Sequence, residues 1–79
     1  MTYEEALTKT ETAFQRTFGA QLAFDARLSR LEAARWTSLK HVEFIIALEK
    51  EFATRFDGAD ATDMTSIPVV IERVLKKLS

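Results

Sequence analysis

Hydrophobic side chains recur at helical spacing in three segments of this chain. In the first, small and apolar residues between positions 3 and 18 follow the i, i+3, i+4, i+7 spacing of one helix face. Thr2 and Glu5 form a capping-box pattern before that segment, and Gly19 is a natural stop after it. The pattern therefore predicts a helix over residues 3–18. Its predicted buried face consists of Tyr3, Ala6, Leu7, Thr10, Ala13, Phe14, Thr17 and Phe18.

The second segment predicts a helix from Ser38 to Phe52 or Ala53, with more apolar surface than one face can hold. One stripe at i, i+1, i+4, i+8 spacing suits the core and consists of Phe44, Ile45, Leu48 and Phe52. A second stripe is rotated away from the first and consists of Leu39, Val42 and Ile46. The second stripe either lies under a loop or forms a partly exposed contact surface.

The third segment predicts a helix that begins after Thr65 or Ser66, with Pro68 in its first turn. Its apolar face runs to the end of the sequence through Ile67, Val70, Ile71, Val74, Leu75 and Leu78. Residues 57–64, which precede it, read as a loop with one short helical turn.

Residues 19–37 show neither helical spacing nor strand alternation, and we interpret them as a long ordered loop. The segment has its own packing residues, Leu22, Phe24, Leu28 and Leu31, and residues 28–34 are candidates for a helical turn. Its three arginines, Arg27, Arg30 and Arg35, either form a solvated surface or lie near Ser38, where they would contact a phosphate or an acidic partner.

Composition narrows the range of function classes. The 79 residues predict a single small all-α domain over residues 1–79, with three to four helices. The chain has no cysteine, so any reactive thiol has to come from a cofactor. A net charge of −1 argues against nucleic-acid binding, and no apolar run approaches the roughly 20 residues of a membrane span. We therefore expect a cytoplasmic monomer without membrane insertion.

The run from Ser38 to Phe52 resembles the prosthetic-group helix of the acyl carrier protein family. The family pattern is Ser-Leu, two variable residues, an aliphatic residue, Glu, an apolar triplet, Ala-Leu-Glu, a variable residue and Glu-Phe, and residues 38–52 follow it. The resemblance extends over roughly residues 3–78 and implies an acyl-carrier-like bundle with a long loop between the first and second helices. The chain departs from the family at Thr37, where the family has aspartate, and in its nearly neutral charge.

The resemblance implies that Ser38 carries a covalent 4′-phosphopantetheine arm, with Thr37 and Leu39 completing the attachment site. A helix N-terminus favours a phosphate because it presents unpaired amides and a partial positive charge. The implied partners are a phosphopantetheinyl transferase and acyl-transferring or acyl-activating enzymes; the chain itself is not expected to be an enzyme. The implied partner surface consists of Leu39, Val42, Glu43, Ile46 and Glu49, and the residues that would line a space for the acyl chain are Phe44, Ile45, Leu48 and Ile71.

Other interpretations compete with the carrier. The main alternative is an unmodified helical interaction module that uses Leu39, Val42 and Ile46 to bind a partner. A helix-turn-helix DNA-binding protein is a weaker possibility because the predicted second helix is not basic. His41 lies one turn after Ser38, but no glycine-rich turn is present to form an oxyanion hole, so we interpret it as a surface histidine.

Overall fold

A computed structural model describes residues 1–78 and contains four α-helices within that range. The helices are α1 (Tyr3–Phe18), α2 (Ser38–Phe52), α3 (Gly58–Asp63) and α4 (Ile67–Leu78). Two short 3₁₀ turns, Gly19–Gln21 and Arg30–Glu32, lie between α1 and α2. Residues 1–78 form no β-strand, so the all-α prediction is confirmed.

Both ends of α1 follow the sequence signals. Thr2 Oγ1 accepts from the Glu5 amide at 3.2 Å, and Glu5 Oε1 accepts from the Thr2 amide at 2.9 Å, which completes the capping box. The hydrogen bond from the Thr2 backbone lowers the pKa of Glu5. Gly19 ends the helix at a φ of 56°, a conformation that glycine adopts without steric cost. Tyr3 is 52 % exposed, so its assignment to the buried face was wrong.

The connection between α1 and α2 is held to the rest of the molecule by side chains and by its backbone. Leu22, Phe24 and Leu28 are partly buried against the core, as predicted, whereas Leu31 is 97 % exposed and contradicts its predicted packing role. The Ile67 amide donates to the Leu28 carbonyl, and the Arg30 amide donates to the Thr65 carbonyl, each at 2.8 Å. These two bonds fasten residues 28–30 beside the start of α4.

Helix α2 begins after Thr37 and ends at Phe52, and the next residue, Ala53, takes a left-handed conformation with a φ of 51°. Its predicted core stripe is confirmed, because Phe44, Ile45, Leu48 and Phe52 are all buried. The Phe44 ring lies 5.7 Å from that of Phe14 and 5.4 Å from that of Trp36. Edge-to-face aromatic packing therefore joins α1, the connection and α2 in one core.

Helices α3 and α4 are linked by a charged cluster. Asp57 caps α3 through a bond from the Asp60 amide, and Ser66 Oγ accepts from the Val69 amide at the start of α4. Arg73 on α4 contacts Asp60 at 2.8 Å and Asp63 at 2.6 Å. These carboxylates raise the pKa of Arg73, and the cluster fixes α3 against α4.

Candidate functional site

Ser38 is the first residue of α2, and its side chain is exposed. The preceding residue, Thr37, is the N-cap, and its Oγ1 accepts from the Lys40 amide at 3.2 Å. The first backbone bond of the helix runs from the His41 amide to the Thr37 carbonyl. The amides of Ser38 and Leu39 precede that bond and face the end of the helix, where an anion is favoured.

Arg30 contacts the Ser38 hydroxyl. Its Nη2 lies 2.9 Å from Ser38 Oγ, and its Nε donates to the Trp36 carbonyl at 3.1 Å. Arg27 and Arg35, in contrast, are exposed. Arg30 is therefore the arginine that lies at Ser38, whereas contact of any of the three with a phosphate or an acidic partner stays a prediction. The pairing of residues 28–30 with the start of α4, which places Arg30, has no signal in the hydrophobic pattern.

His41 is buried, which contradicts its interpretation as a surface residue. Its Nδ1 accepts from Trp36 Nε1 at 3.1 Å, and its Nε2 contacts the Ala61 carbonyl oxygen at 2.7 Å. Because the indole N–H is only a donor and a carbonyl is only an acceptor, this network assigns the proton to Nε2. His41 thus joins the segment before Ser38 to α3 and does not point toward the serine.

The stripe Leu39, Val42 and Ile46 is exposed on α2, with fractions of 70 %, 56 % and 47 %. Its placement under a loop is therefore excluded, and a role in partner binding stays a prediction. Glu43 is exposed beside the stripe, 3.7 Å from Lys40 Nζ. Glu49 is partly buried, and its carboxylate accepts from the Phe56 amide at 2.8 Å, so it is committed to the end of α2.

The residues proposed to line a space for an acyl chain are buried together in the core: Phe44, Ile45, Leu48 and Ile71. Phe44 is enclosed by rings, at 6.0 Å from that of Phe18 in addition to those of Phe14 and Trp36. Their burial agrees with a core role; an acyl-binding role stays a prediction.

Within residues 1–78, no group of three or more metal-ligating side chains comes together, and no helix is long and apolar enough to cross a membrane. Comparison with known protein families, with curated proteins and with solved structures finds no match for this chain.

Proposed function

We propose that the protein is an acyl carrier that holds acyl intermediates as thioesters on a 4′-phosphopantetheine arm attached to Ser38. The observation that carries the proposal is an exposed serine hydroxyl at the N-terminus of an α-helix, in contact with an arginine. The family resemblance of residues 38–52 supplies the identity of the arm.

The donor groups around Ser38 fit a phosphodiester. A phosphodiester has one negative charge and two unesterified oxygens that only accept hydrogen bonds. Arg30 offers a guanidinium group, and the Ser38 and Leu39 amides lie ahead of the first intrahelical bond. When bound, the arm supplies a thiol for thioester formation, which this cysteine-free chain lacks.

Attachment requires a separate transferase and coenzyme A. Ser38 Oγ forms a bond to phosphorus as the pyrophosphate bridge of coenzyme A breaks and 3′,5′-adenosine bisphosphate leaves. The hydroxyl proton passes to a base of the transferase. The chain contributes an accessible hydroxyl and a favourable field for the attached phosphate, so the carrier has no catalytic residue of its own in this proposal.

Thr37 caps the helix, but it lacks the negative charge that the family has at this position. Its hydroxyl caps α2, which aspartate would also do, yet it brings no anion to the site. Recognition by a transferase that reads the aspartate is therefore expected to be weaker. The exposed stripe also suits the alternative, a helical interaction module in which Ser38 is never modified.

Intact mass after co-expression with a broad-specificity phosphopantetheinyl transferase tests the proposal. We expect the mass of one phosphopantetheine on the protein, and its loss in Ser38→Ala. Ser66→Ala is the matched control, because Ser66 also stands at the start of a helix and should leave the addition intact. An unmodified wild-type protein would favour the interaction module.

Thr37→Asp sharpens the same experiment. Aspartate is as good an N-cap as threonine, so the helix should keep its stability while the loading rate rises. Thr37→Asn is the control, because it preserves the cap without the charge and should leave the rate near that of the wild type.

A further inference from the structure

Arg30 is held in position before any ligand arrives. Its backbone amide donates to the Thr65 carbonyl at 2.8 Å, and its Nε donates to the Trp36 carbonyl at 3.1 Å. Trp36 is itself 2 % exposed. An arginine fixed at both its backbone and its Nε loses little further conformational entropy when Nη2 binds an acceptor.

Lys40, His41 and Arg35 are the other basic side chains near Ser38 in the sequence, and none of them contacts the Ser38 hydroxyl. Lys40 Nζ donates to the Thr17 carbonyl at 3.0 Å and lies 3.7 Å from Glu43. Both ring nitrogens of His41 are engaged by Trp36 and Ala61. Arg35 is exposed, and the hydrogen bonds to Ser38 Oγ and to the Trp36 carbonyl are donated by Arg30 and not by Arg35. Arg30 is thus the cation in contact with the Ser38 hydroxyl.

Esterification of Ser38 changes what Arg30 can bind. The serine oxygen becomes a poor acceptor once it is bonded to phosphorus, while the unesterified phosphate oxygens, two bonds from the serine oxygen, are strong charged acceptors. A small movement of the guanidinium group would transfer its hydrogen bond from Ser38 Oγ to a phosphate oxygen.

We propose that Arg30 is a positioning residue that binds the phosphate attached to Ser38 and fixes the direction in which the arm leaves the protein. This inference rests on the proposed function for the identity of the arm. It also gives the site a different charge balance from the family pattern: the phosphate is neutralised from within the chain, and Thr37 adds no second anion beside it.

Phosphoserine encoded at position 38 during translation is a probe that needs no transferase. Its second ionisation has a pKa of about 6, and a contacting cation lowers such a pKa by roughly 1–3 units. We expect ³¹P titration to give a pKa about one unit lower with Arg30 present than in Arg30→Gln. The field of the helix N-terminus is common to both proteins and cancels in the difference.

Arg35→Gln is the matched control, because it removes the same charge from the same segment without removing a contact to Ser38. Its effect should be small, about 0.3 unit or less, and should vanish at high salt, whereas the Arg30 difference should persist. Arg30→Lys retains the charge but has one nitrogen to serve both Trp36 and the phosphate, so it should restore the shift only in part. It is also the substitute if Arg30→Gln does not fold. Equal phosphoserine pKa values with and without Arg30 would overturn the inference.

The phosphopantetheine-loaded protein provides a second readout. The ³¹P resonance of its phosphodiester should move in Arg30→Gln and stay in place in Arg35→Gln. If the protein is loaded normally but shows neither the pKa difference nor the ³¹P change, the role of Arg30 is overturned and the carrier proposal stands. A normal pKa difference without any loading would overturn the carrier proposal, and with it the role of Arg30 in directing an arm.

Discussion

The two apolar stripes of α2 have similar residues and opposite environments. Phe44 and Leu48 are fully buried, whereas Leu39 and Val42 on the other stripe are more than half exposed. The buried stripe faces α1 and the aromatic residues of the core. The exposed stripe begins one residue after Ser38. One stripe of this helix therefore contributes to the core, whereas the other is exposed, and its use by a partner stays a proposal.

Substitutions on the two stripes should change the free energy of unfolding by very different amounts. Phe44→Ala removes a ring that packs against three other aromatic side chains and should cost about 3–5 kcal/mol of the free energy of unfolding. Val42→Ala, on the same helix but exposed, should change it by less than about 0.5 kcal/mol. Urea denaturation of both variants measures the difference. Similar losses in the two variants would contradict the division of α2 into a core stripe and a free stripe.

His41 is a polar residue on the buried side of α2, and its hydrogen bond with Trp36 should contribute to stability. Trp36→Phe keeps most of the aromatic packing but removes the N–H that His41 Nδ1 accepts, and should cost about 1–3 kcal/mol. His41→Phe should also destabilise, since it leaves the Trp36 N–H and the Ala61 carbonyl without their partner. The double variant should lose less than the sum of the two single losses, because the shared hydrogen bond is counted twice in that sum. Strict additivity would show that the bond contributes nothing.

Acid should loosen α3 from α4 while it leaves the apolar contacts of α2 intact. Partial burial raises the pKa of Asp60, but the hydrogen bond from Arg73 and the charge of Lys77 lower it more, so it lies below the ordinary value of 3.8. A carboxyl whose pKa is lower in the folded state stabilises the fold above the ordinary value, and this stabilisation is lost as pH falls through the folded value.

We therefore expect Asp60→Asn to lower the urea midpoint at neutral pH, with the gap to the wild type closing as pH falls below 3.8. Glu72→Gln is the control, because Glu72 is exposed on the same helix as Arg73 and makes none of these ion pairs. A gap that is unchanged in acid would show that the cluster does not couple α3 to α4.

The helices could be predicted because their signals are local. The capping pair at Thr2 and Glu5 and the stop at Gly19 each depend on residues within one turn, and both are present. The position of Arg30 depends on its backbone bond to Thr65, 35 positions along the chain, for which the sequence has no periodic signal. Leu31 and His41 were misassigned for the same reason, since polarity alone does not show which side chains find partners across the fold.

The candidate site also combines features that the sequence predicts with features that depend on distant contacts. Its serine and its second apolar stripe follow from helical spacing within α2. The exposure of that stripe and the contact between Arg30 and Ser38 depend on how the connection folds. The attachment of an arm to Ser38 depends on a transferase and stays a prediction.

The smallest expected effect on stability is at the exposed stripe, where the functional effect should be largest. Leu39→Ala and Ile46→Ala remove side chains that are 70 % and 47 % exposed. Because alanine favours the helix, the free energy of unfolding should change by less than about 0.5 kcal/mol for Leu39→Ala and by only slightly more for Ile46→Ala.

If the stripe binds partner enzymes, the same variants should slow acyl transfer to or from the loaded protein. Lys76→Ala, an exposed change on α4 and away from the stripe, should leave transfer near the wild-type rate. A large stability loss for Ile46→Ala would assign that residue to the core, and unchanged transfer in both stripe variants would leave the exposed face of α2 without a role in the carrier.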